Sequence, residues 1–206
     1  MAGLDRPEDI AVDDAGDLVV TEPALHRVLE LTAGTTNPTV LPFTGLGEPT
    51  GVAVASRDPA NDRAVVVSDA AHNRVVKLLA HSTEQTDLPF SGLAFPSAVT
   101  LGRGGALFVV DRDNEQVLKL PWKATVPTVL PFVVGHPDDV AVDTNGNVYV
   151  TDSHENHVTK FVKASNTSIT LPFTGVDHPK GIGVDTAGNV YVVDAGNNRV
   201  LELPPG

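Results

Sequence analysis

Polar and charged side chains flank a proline that recurs five times, at Pro7, Pro49, Pro96, Pro137 and Pro179, at intervals of 41 to 47 residues. The flanking residues that could contact a ligand are Glu8, Asp9, Glu48, Thr50, Ser97, His136, Asp138, Asp139, His178 and Lys180. Half of this set are carboxylates, which would favour cationic or polyhydroxyl ligands. A solvated loop rim in an acidic protein has the same composition, so both interpretations stay open.

His136 and His178 each stand immediately before the repeated proline, in adjacent repeats. Two imidazoles placed in this way could share a metal ion, or one of them could act as a general acid or base. A catalytic metal site takes three protein ligands, and the Asp-rich turns offer too few oxygens for calcium. We therefore predict no catalytic residue, no metal and no cofactor.

A second constellation pairs an acid with a base five residues later. The pairs are Glu22 with Arg27, Asp69 with Arg74, Asp152 with His157 and Asp194 with Arg199, and Asp111 has Gln116 in the base position. This spacing puts the two side chains opposite each other across a hairpin. Because the pattern recurs in nearly every repeat, it indicates architecture and not catalysis.

The elements that position these residues follow from the repetition. The segment LPF occurs four times, beginning at Leu41, Leu88, Leu130 and Leu171, and each repeat holds short β-branched runs of strand length. Turn sequences such as 143–147 separate them, with Asp opening the turn and Gly supplying a positive φ. Each repeat thus reads as a four-stranded antiparallel meander. The segment 56–63 enlarges one turn and is predicted to be a surface insertion.

Several such meanders bury their faces by packing around an axis, which predicts an all-β protein of the β-propeller class in preference to a solenoid. We expect a single domain over 1–206, with repeats at about 3–44, 45–91, 92–133, 134–174 and 175–206. The first run should be innermost, and the proline of LPF places the fourth run, with LPF inside it, at the outer edge. The fifth repeat ends after its third run, so self-association through incomplete blade edges is possible.

Composition excludes several classes of partner. The 206 residues carry a formal net charge of −12, which disfavours nucleic acid and anionic membrane surfaces. The chain has no cysteine, so it holds neither a disulfide nor a thiolate metal site. No apolar run is long enough to insert into a membrane and the N-terminus has no targeting signal, which leaves localisation undetermined by this chain.

The segments LPFTGL, PTGVAV, GNVYVTD and NNRVLEL resemble NHL repeats, and the resemblance extends over residues 3 to 206. It is strongest to the extracytoplasmic sensor domains of mycobacterial PknD-type transmembrane serine/threonine kinases. The resemblance implies a propeller that recognises an unknown small molecule or protein outside the cytoplasm. The chain itself has none of the glycine-rich loop, HRD or DFG motifs of a kinase.

Three functions remain open from the sequence. The first is a non-catalytic propeller that binds a ligand or a protein, as the resemblance implies. The second is a propeller enzyme of lyase or lactonase type, in which His136 or His178 would act with a nearby carboxylate. The third is a standalone or designed repeat scaffold without a ligand.

Overall fold

The computed structural model describes residues 3–55, 63–132 and 134–205. They belong to two compact units, Met1–Leu101 and Gly102–Gly206. The regular structure of the described residues is β-strand apart from four short 3-10 turns, and none of their helices could cross a membrane. The all-β class with antiparallel blades of the β-propeller type is confirmed. The predicted insertion at 56–63 lies outside the described residues, except for Arg63.

The first unit holds two four-stranded antiparallel sheets, ordered β1-β2-β3-β4 and β5-β6-β7-β8, and a ninth strand. The strands are β1 (Ile10–Val12), β2 (Leu18–Glu22), β3 (Arg27–Leu31), β4 (Thr39–Val40), β5 (Pro49–Ala55), β6 (Ala64–Asp69), β7 (Arg74–Leu79), β8 (Gln85–Asp87) and β9 (Pro96–Leu101). Each complete sheet corresponds to one sequence repeat. The predicted meanders are therefore present in repeats one and two.

The second unit continues with the antiparallel series β10-β11-β12, a four-stranded sheet β13-β14-β15-β16 and a three-stranded sheet β17-β18-β19. The strands are β10 (Leu107–Asp111), β11 (Gln116–Leu120), β12 (Thr128–Val129), β13 (Pro137–Val142), β14 (Val148–Asp152), β15 (His157–Val162), β16 (Thr167–Thr170), β17 (Pro179–Val184), β18 (Val190–Asp194) and β19 (Arg199–Leu203). Among the described residues, the fifth repeat has no fourth strand, as the sequence predicted.

Aspartate and glycine build the turn between the first two strands, as the sequence predicted. In repeat four, Asp143 Oδ1 accepts hydrogen bonds from the backbone N–H groups of Asn145 and Asn147, both at 2.9 Å. Gly146 has φ 83°, a conformation that side chains disfavour. Asp13 and Asp185 accept equivalent bonds in repeats one and five. The carboxylate thus replaces a backbone partner that the tight turn lacks.

The turn between the second and third strands is a feature that the sequence analysis did not predict. Four repeats place a 3-10 turn here: η1 (Pro23–Leu25), η2 (Ala70–His72), η3 (Arg112–Asn114) and η4 (Ala195–Asn197). In all five repeats the residue before the third strand is left-handed: His26, Asn73, Glu115, Asn156 and Asn198 have φ between 52° and 56°. Asparagine adopts the left-handed conformation more readily than most residues, so the three Asn residues could have indicated this turn from the sequence.

The LPF segments follow the fourth strands and do not lie within them. The backbone N–H of Leu41 donates to the carbonyl of Val28 (2.9 Å), and that of Leu171 donates to the carbonyl of Val158 (2.8 Å). The ladder stops there because the next residue is proline, which has no N–H to donate. The fourth strand is an edge of its sheet, as predicted, but the LPF segment is not part of it.

Sheets pack through β-branched side chains. In the first unit, Val19 and Val28 of repeat one pack with Val52, Val67 and Val76 of repeat two. In the second unit, Tyr149 and Val158 of repeat four pack with Val190, Val192 and Ile182 of repeat five. The leucine and phenylalanine of LPF add to the same cores in both units. One repeat therefore supplies the cover for the next.

Candidate functional site

In each of repeats two, four and five, the repeated proline and the acid that ends the second strand lie at the same end of the sheet. The register pairs Pro49 with Asp69, Pro137 with Asp152 and Pro179 with Asp194. The loop before the first strand and the turn between the second and third strands therefore meet at this end, which we call the proline end. All ten predicted site residues lie in or next to these loops.

The acid–base pairs of the hairpins are confirmed. Arg27 Nε lies 2.6 Å from Glu22 Oε2, Arg74 Nε lies 3.0 Å from Asp69 Oδ2, and Arg199 Nε lies 2.6 Å from Asp194 Oδ2. Asp152 faces His157 in the strand register, and Gln116 Nε2 donates to Asp111 Oδ2 at 2.7 Å. All five acids are fully buried. Their place at the second strand's end in every repeat gives them one structural role.

These acids also hold the loop that contains the predicted ligand residues. Asp69 Oδ1 accepts the backbone N–H groups of Gly47 (2.8 Å) and Glu48 (3.0 Å), and Asp152 Oδ2 accepts those of Gly135 and His136. Burial raises the pKa of both carboxyls, but these hydrogen bonds outweigh it, so each pKa lies below its usual value. The sequence analysis missed this second role, although an acid at the same place in each repeat was its signal.

Asp9 and Asp139 join their own repeat to the next one. Asp9 Oδ2 accepts the backbone N–H of Val52 at 2.7 Å, and Asp139 Oδ2 accepts that of Ile182 at 2.8 Å. In each case the other oxygen accepts the N–H of the following residue, Ile10 or Val140, at 2.7 Å. Both carboxylates thus accept hydrogen bonds from the backbone, a structural role that the sequence analysis did not predict.

The carboxyl of Asp9 has a shifted pKa. Burial raises this pKa to about 6, against the opposing effect of the hydrogen bonds from Val52 and Ile10. The negative charge of Glu8 raises it further. Asp9 therefore takes up a proton at a higher pH than an ordinary aspartate.

Threonine hydroxyls reinforce the same joints. Thr21 Oγ1 donates to the carbonyl of Thr50 at 2.8 Å, and Thr151 Oγ1 donates to the carbonyl of Lys180 at 2.6 Å. Thr50 is itself buried and donates its hydroxyl to the carbonyl of Pro96 at 3.0 Å. Ser97 is half-buried on β9. The predicted residue Thr50 is therefore bonded within the fold of the first unit.

The second unit brings three predicted residues into one charged cluster. The buried carboxylate of Asp138 lies 2.7 Å from Lys180 Nζ and 3.4 Å from an Arg112 guanidinium nitrogen. Its other oxygen accepts the backbone N–H of Ser153 at 3.1 Å. Arg112 Nε in turn donates to His136 Nδ1 at 3.3 Å. Arg112 was not among the predicted site residues, since it lies in the turn and not beside the proline.

The two histidines before proline do not share an environment. His178 has a left-handed backbone with φ 49°, and its Nδ1 lies 2.7 Å from Asp177 Oδ1 on the surface. His136 instead contacts Arg112 and lies 6.4 Å from the ring of His154. Within the described residues, no group of three or more histidine, aspartate or glutamate side chains is arranged to hold a metal ion.

The first unit brings the remaining carboxylates, Glu8 and Glu48, to one pocket of about 350 Å³ at its proline end. The pocket is lined by Arg6, Glu8, Pro23, Ala24, His26, Gly47 and Glu48. His26 Nδ1 contacts the carbonyl of Gly47, which only accepts, so Nδ1 is the donor of this contact. Gly47 has little room for a side chain, because a Cβ would lie 2.9 Å from Ala71 Cβ and 2.7 Å from His72 Cε1.

A second pocket of about 430 Å³ in the same unit contains no predicted site residue. Arg63 lines it and forms ion pairs with Asp13 and Glu30, both at 2.5 Å. These two ion pairs hold the Arg63 side chain in the wall of the pocket and balance its charge.

Comparison with known repeats identifies the unit from which the chain is built. The NHL repeat pattern matches residues 135–161 and 177–203, which are most of repeats four and five. The chain contains NHL repeats. Each NHL match ends at or near the end of the third strand, at Phe161 and Leu203. Comparison with curated protein sequences gives no match.

Solved structures share the fold at low sequence identity. A chain in the crystal structure of a nidogen/laminin complex is 18% identical over 96% of this chain and 75% of that one, with a TM-score of 0.82. A catalytically inactive histidine-to-alanine variant of virginiamycin B lyase from Staphylococcus aureus, solved with quinupristin, is 16% identical over 99% and 71%, with a TM-score of 0.72. These likenesses show the β-propeller fold.

Proposed function

We propose that this NHL protein is a non-catalytic propeller that binds a small polar ligand in the pocket of its first unit. The observation that carries the proposal is the pocket itself, of about 350 Å³, at the predicted end of the sheets and lined by two of the ten predicted residues. This volume falls within the range of small-molecule sites. Asp9 and Thr50, in contrast, are bonded to the backbone of the first unit.

The lining of the pocket indicates the class of ligand. Glu8 and Glu48 contribute carboxylate oxygens, His26 contributes an imidazole and Arg6 contributes a guanidinium. The two carboxylates accept hydrogen bonds, which suits a ligand rich in donors, such as a polyol, a sugar or a primary amine. The sequence-based expectation of cationic or polyhydroxyl ligands therefore remains the proposal for this pocket.

Calorimetry with three probes tests the proposal: a hexose, a linear polyol and a primary amine. We expect saturable binding of at least one probe to the wild-type chain. Glu48→Gln should weaken that binding by about 10- to 100-fold, the equivalent of about 1.5 to 3 kcal/mol for a hydrogen bond to a charged group. Glu84→Gln, an exposed carboxylate outside the pocket, is the matched control. No saturable binding, or equal binding by both variants, would contradict the proposal.

We further propose that the binding serves a sensor located outside the cytoplasm, as in the PknD-type kinases that the sequence resembles. The repeated LPFTG, GNVYV and NRV segments support this assignment. Protease treatment of intact source cells tests the location. An extracytoplasmic chain should be degraded while a cytoplasmic marker survives, and equal protection of both would contradict it.

The alternative is an enzyme of lyase or lactonase type centred on His136. The contact of His136 with Arg112 and the neighbouring Asp138–Lys180 pair favour it. A metal-assisted enzyme of this kind should bind a divalent ion, and His136→Ala should abolish the binding. His81→Asn is the control, because His81 is exposed and outside this cluster. Absence of ion binding in calorimetry would remove this alternative.

A further inference from the structure

The second unit holds an ammonium group of its own at the proline end. Lys180 Nζ lies 2.7 Å from Asp138 Oδ1, and the side chain of Asp138 is only 6% exposed. A hydrogen bond between opposite charges is strong where the carboxylate is shielded from water. Because Asp138 belongs to repeat four and Lys180 to repeat five, this ion pair spans the joint between the two repeats.

The joint between repeats one and two has the same backbone construction. The hydrogen bonds that Asp9 and Thr21 make to repeat two use the same atoms as those that Asp139 and Thr151 make to repeat five. The repeated prolines of the two joints are also equally spaced in the sequence. Each residue of the first joint thus has a counterpart in the second.

The first joint keeps the acid of the ion pair but not its lysine. Glu8 is the counterpart of Asp138, and Thr50 is the counterpart of Lys180. The hydroxyl of Thr50 donates to the carbonyl of Pro96 at 3.0 Å, and this side chain carries no charge. The chain therefore supplies an ammonium at this place in the second unit and none at the corresponding place in the first.

The backbone donor of the ion pair is replaced as well. In the second unit the other oxygen of Asp138 accepts the N–H of Ser153 at 3.1 Å. Pro23 is the counterpart of Ser153, and proline has no N–H to donate. Pro23 and Glu8 both line the pocket of about 350 Å³. The pocket thus lies where the second unit supplies donors to its carboxylate.

The charges around the pocket attract a cation. Glu8 and Glu48 contribute two negative charges to the lining, and Arg6 contributes one positive charge. The carboxyl of Asp9 is near enough for its charge to interact with that of Glu8. Glu48 is the counterpart of His178, so the first joint has an acid that the second joint lacks at this position. A bound cation reduces the repulsion among these carboxylates.

We propose that the pocket of the first unit binds a small molecule through a primary alkylammonium group, which takes the place that Lys180 Nζ has in the second unit. This inference rests on the proposed function, because it names the ligand class of the same pocket. The N–H donors of the ammonium bond to Glu8 and Glu48, and the alkyl chain lies against Pro23 and Ala24. The volume suits a whole small amine.

Titration of the 206-residue chain with n-butylamine at pH 7, followed by NMR of the backbone amides, tests the proposal. n-Butylamine is the lysine side chain as a free molecule, and 1-butanol is its uncharged match. We expect saturable binding of n-butylamine, about 10-fold tighter than that of 1-butanol and weaker at high salt, which screens charge. The amide signals of Gly47 and Glu48 should shift.

Two variants locate the bound amine. Glu8→Gln should weaken the binding of n-butylamine by about 10-fold, because it removes one charged acceptor. Glu8 is exposed, so this variant should fold, and circular dichroism verifies it. Glu84→Gln, which changes an exposed carboxylate outside the pocket, should bind the amine like the wild type. Amine binding that neither Glu8→Gln nor Glu48→Gln weakens would overturn the placement in this pocket.

A hexose and a linear polyol, titrated in the same way, separate this inference from the proposed function. Binding of either one without saturable binding of n-butylamine overturns the alkylammonium ligand and leaves the pocket as a polar binding site. Equal affinities for n-butylamine and 1-butanol also overturn it, because the charge then contributes nothing. Absence of binding by every probe overturns both the inference and the proposed function.

Discussion

Repeats four and five have nearly the same sequence and yet very different surroundings. GNVYVTD and GNVYVVD form the same second strand, and both repeats match the NHL pattern. Thr151 and Val158 of repeat four are buried, while Val193 and Val200 at the same places in repeat five are exposed. The local sequence therefore builds the strands and turns by itself, whereas burial depends on which repeat follows.

The same comparison separates two kinds of polar residue. Asp152 and Asp194 are both fully buried, since their place inside the hairpin end does not depend on a neighbour. Asp139 needs the next repeat, because one of its oxygens accepts the N–H of Ile182. Hairpin acids are thus part of the repeat, and first-strand aspartates are part of the joint between repeats.

Removing the acid that ends the second strand of repeat four should have the largest effect on stability. Asp152 accepts backbone N–H groups from Gly135, His136, His154 and Glu155, and Asp152→Ala would leave these donors without their acceptor. We expect a loss of about 3 to 5 kcal/mol in the free energy of unfolding, measured by urea denaturation.

Asp194→Ala is the matched change in repeat five. Asp194 accepts one backbone N–H, from Asp177, and its other partners are the side chains of Asn197 and Arg199. Water can replace these partners, because Arg199 is partly exposed. The loss should be smaller than for Asp152→Ala, and an equal loss would show that backbone acceptance is not what distinguishes the two acids.

The fold could be predicted in most of its parts because its information is local and repeated. Strand lengths, the Asp–Gly turn and the acid–base pairs each depend on a few neighbouring residues. The left-handed residue before the third strand was missed, since its two non-asparagine members, His26 and Glu115, hide the pattern.

The candidate site was less predictable because it depends on joints between repeats. The sequence placed Asp9, Asp138 and Asp139 near the proline, but their partners lie in other elements. Val52 and Ile182 are 43 residues away along the chain, and Arg112 and Lys180 belong to neighbouring repeats. Spacing within one repeat contains no signal for these contacts.

The next prediction compares the third-strand valines directly. Val158→Ala removes two buried methyl groups from a packed core and should cost about 2 kcal/mol of stability. Val200→Ala removes the same groups from an exposed face and should change stability by less than about 0.5 kcal/mol. Urea denaturation of the monomeric chain, at low concentration, measures both. A similar cost at both positions would mean that Val200 is buried in solution.

The smallest expected effect concerns the joint of the first unit, where Asp9 and Val52 repeat the contact of Asp139 with Ile182. The folded pKa of Asp9 is raised to about 6, above the ordinary value of about 3.9 in an unfolded chain. The folded state therefore holds the proton more tightly, and the stability that Asp9 contributes falls as the pH rises from about 4 to about 6. Asn at this position does not titrate, so the stability of the wild type relative to Asp9→Asn should be greater at pH 4 than at pH 7.

Urea denaturation at both pH values measures this difference in stability, and carbon NMR of the Asp9 carboxyl should show a titration midpoint near 6. A difference independent of pH would show that this carboxyl is hydrated, and that the joint is held by its valines and threonine alone.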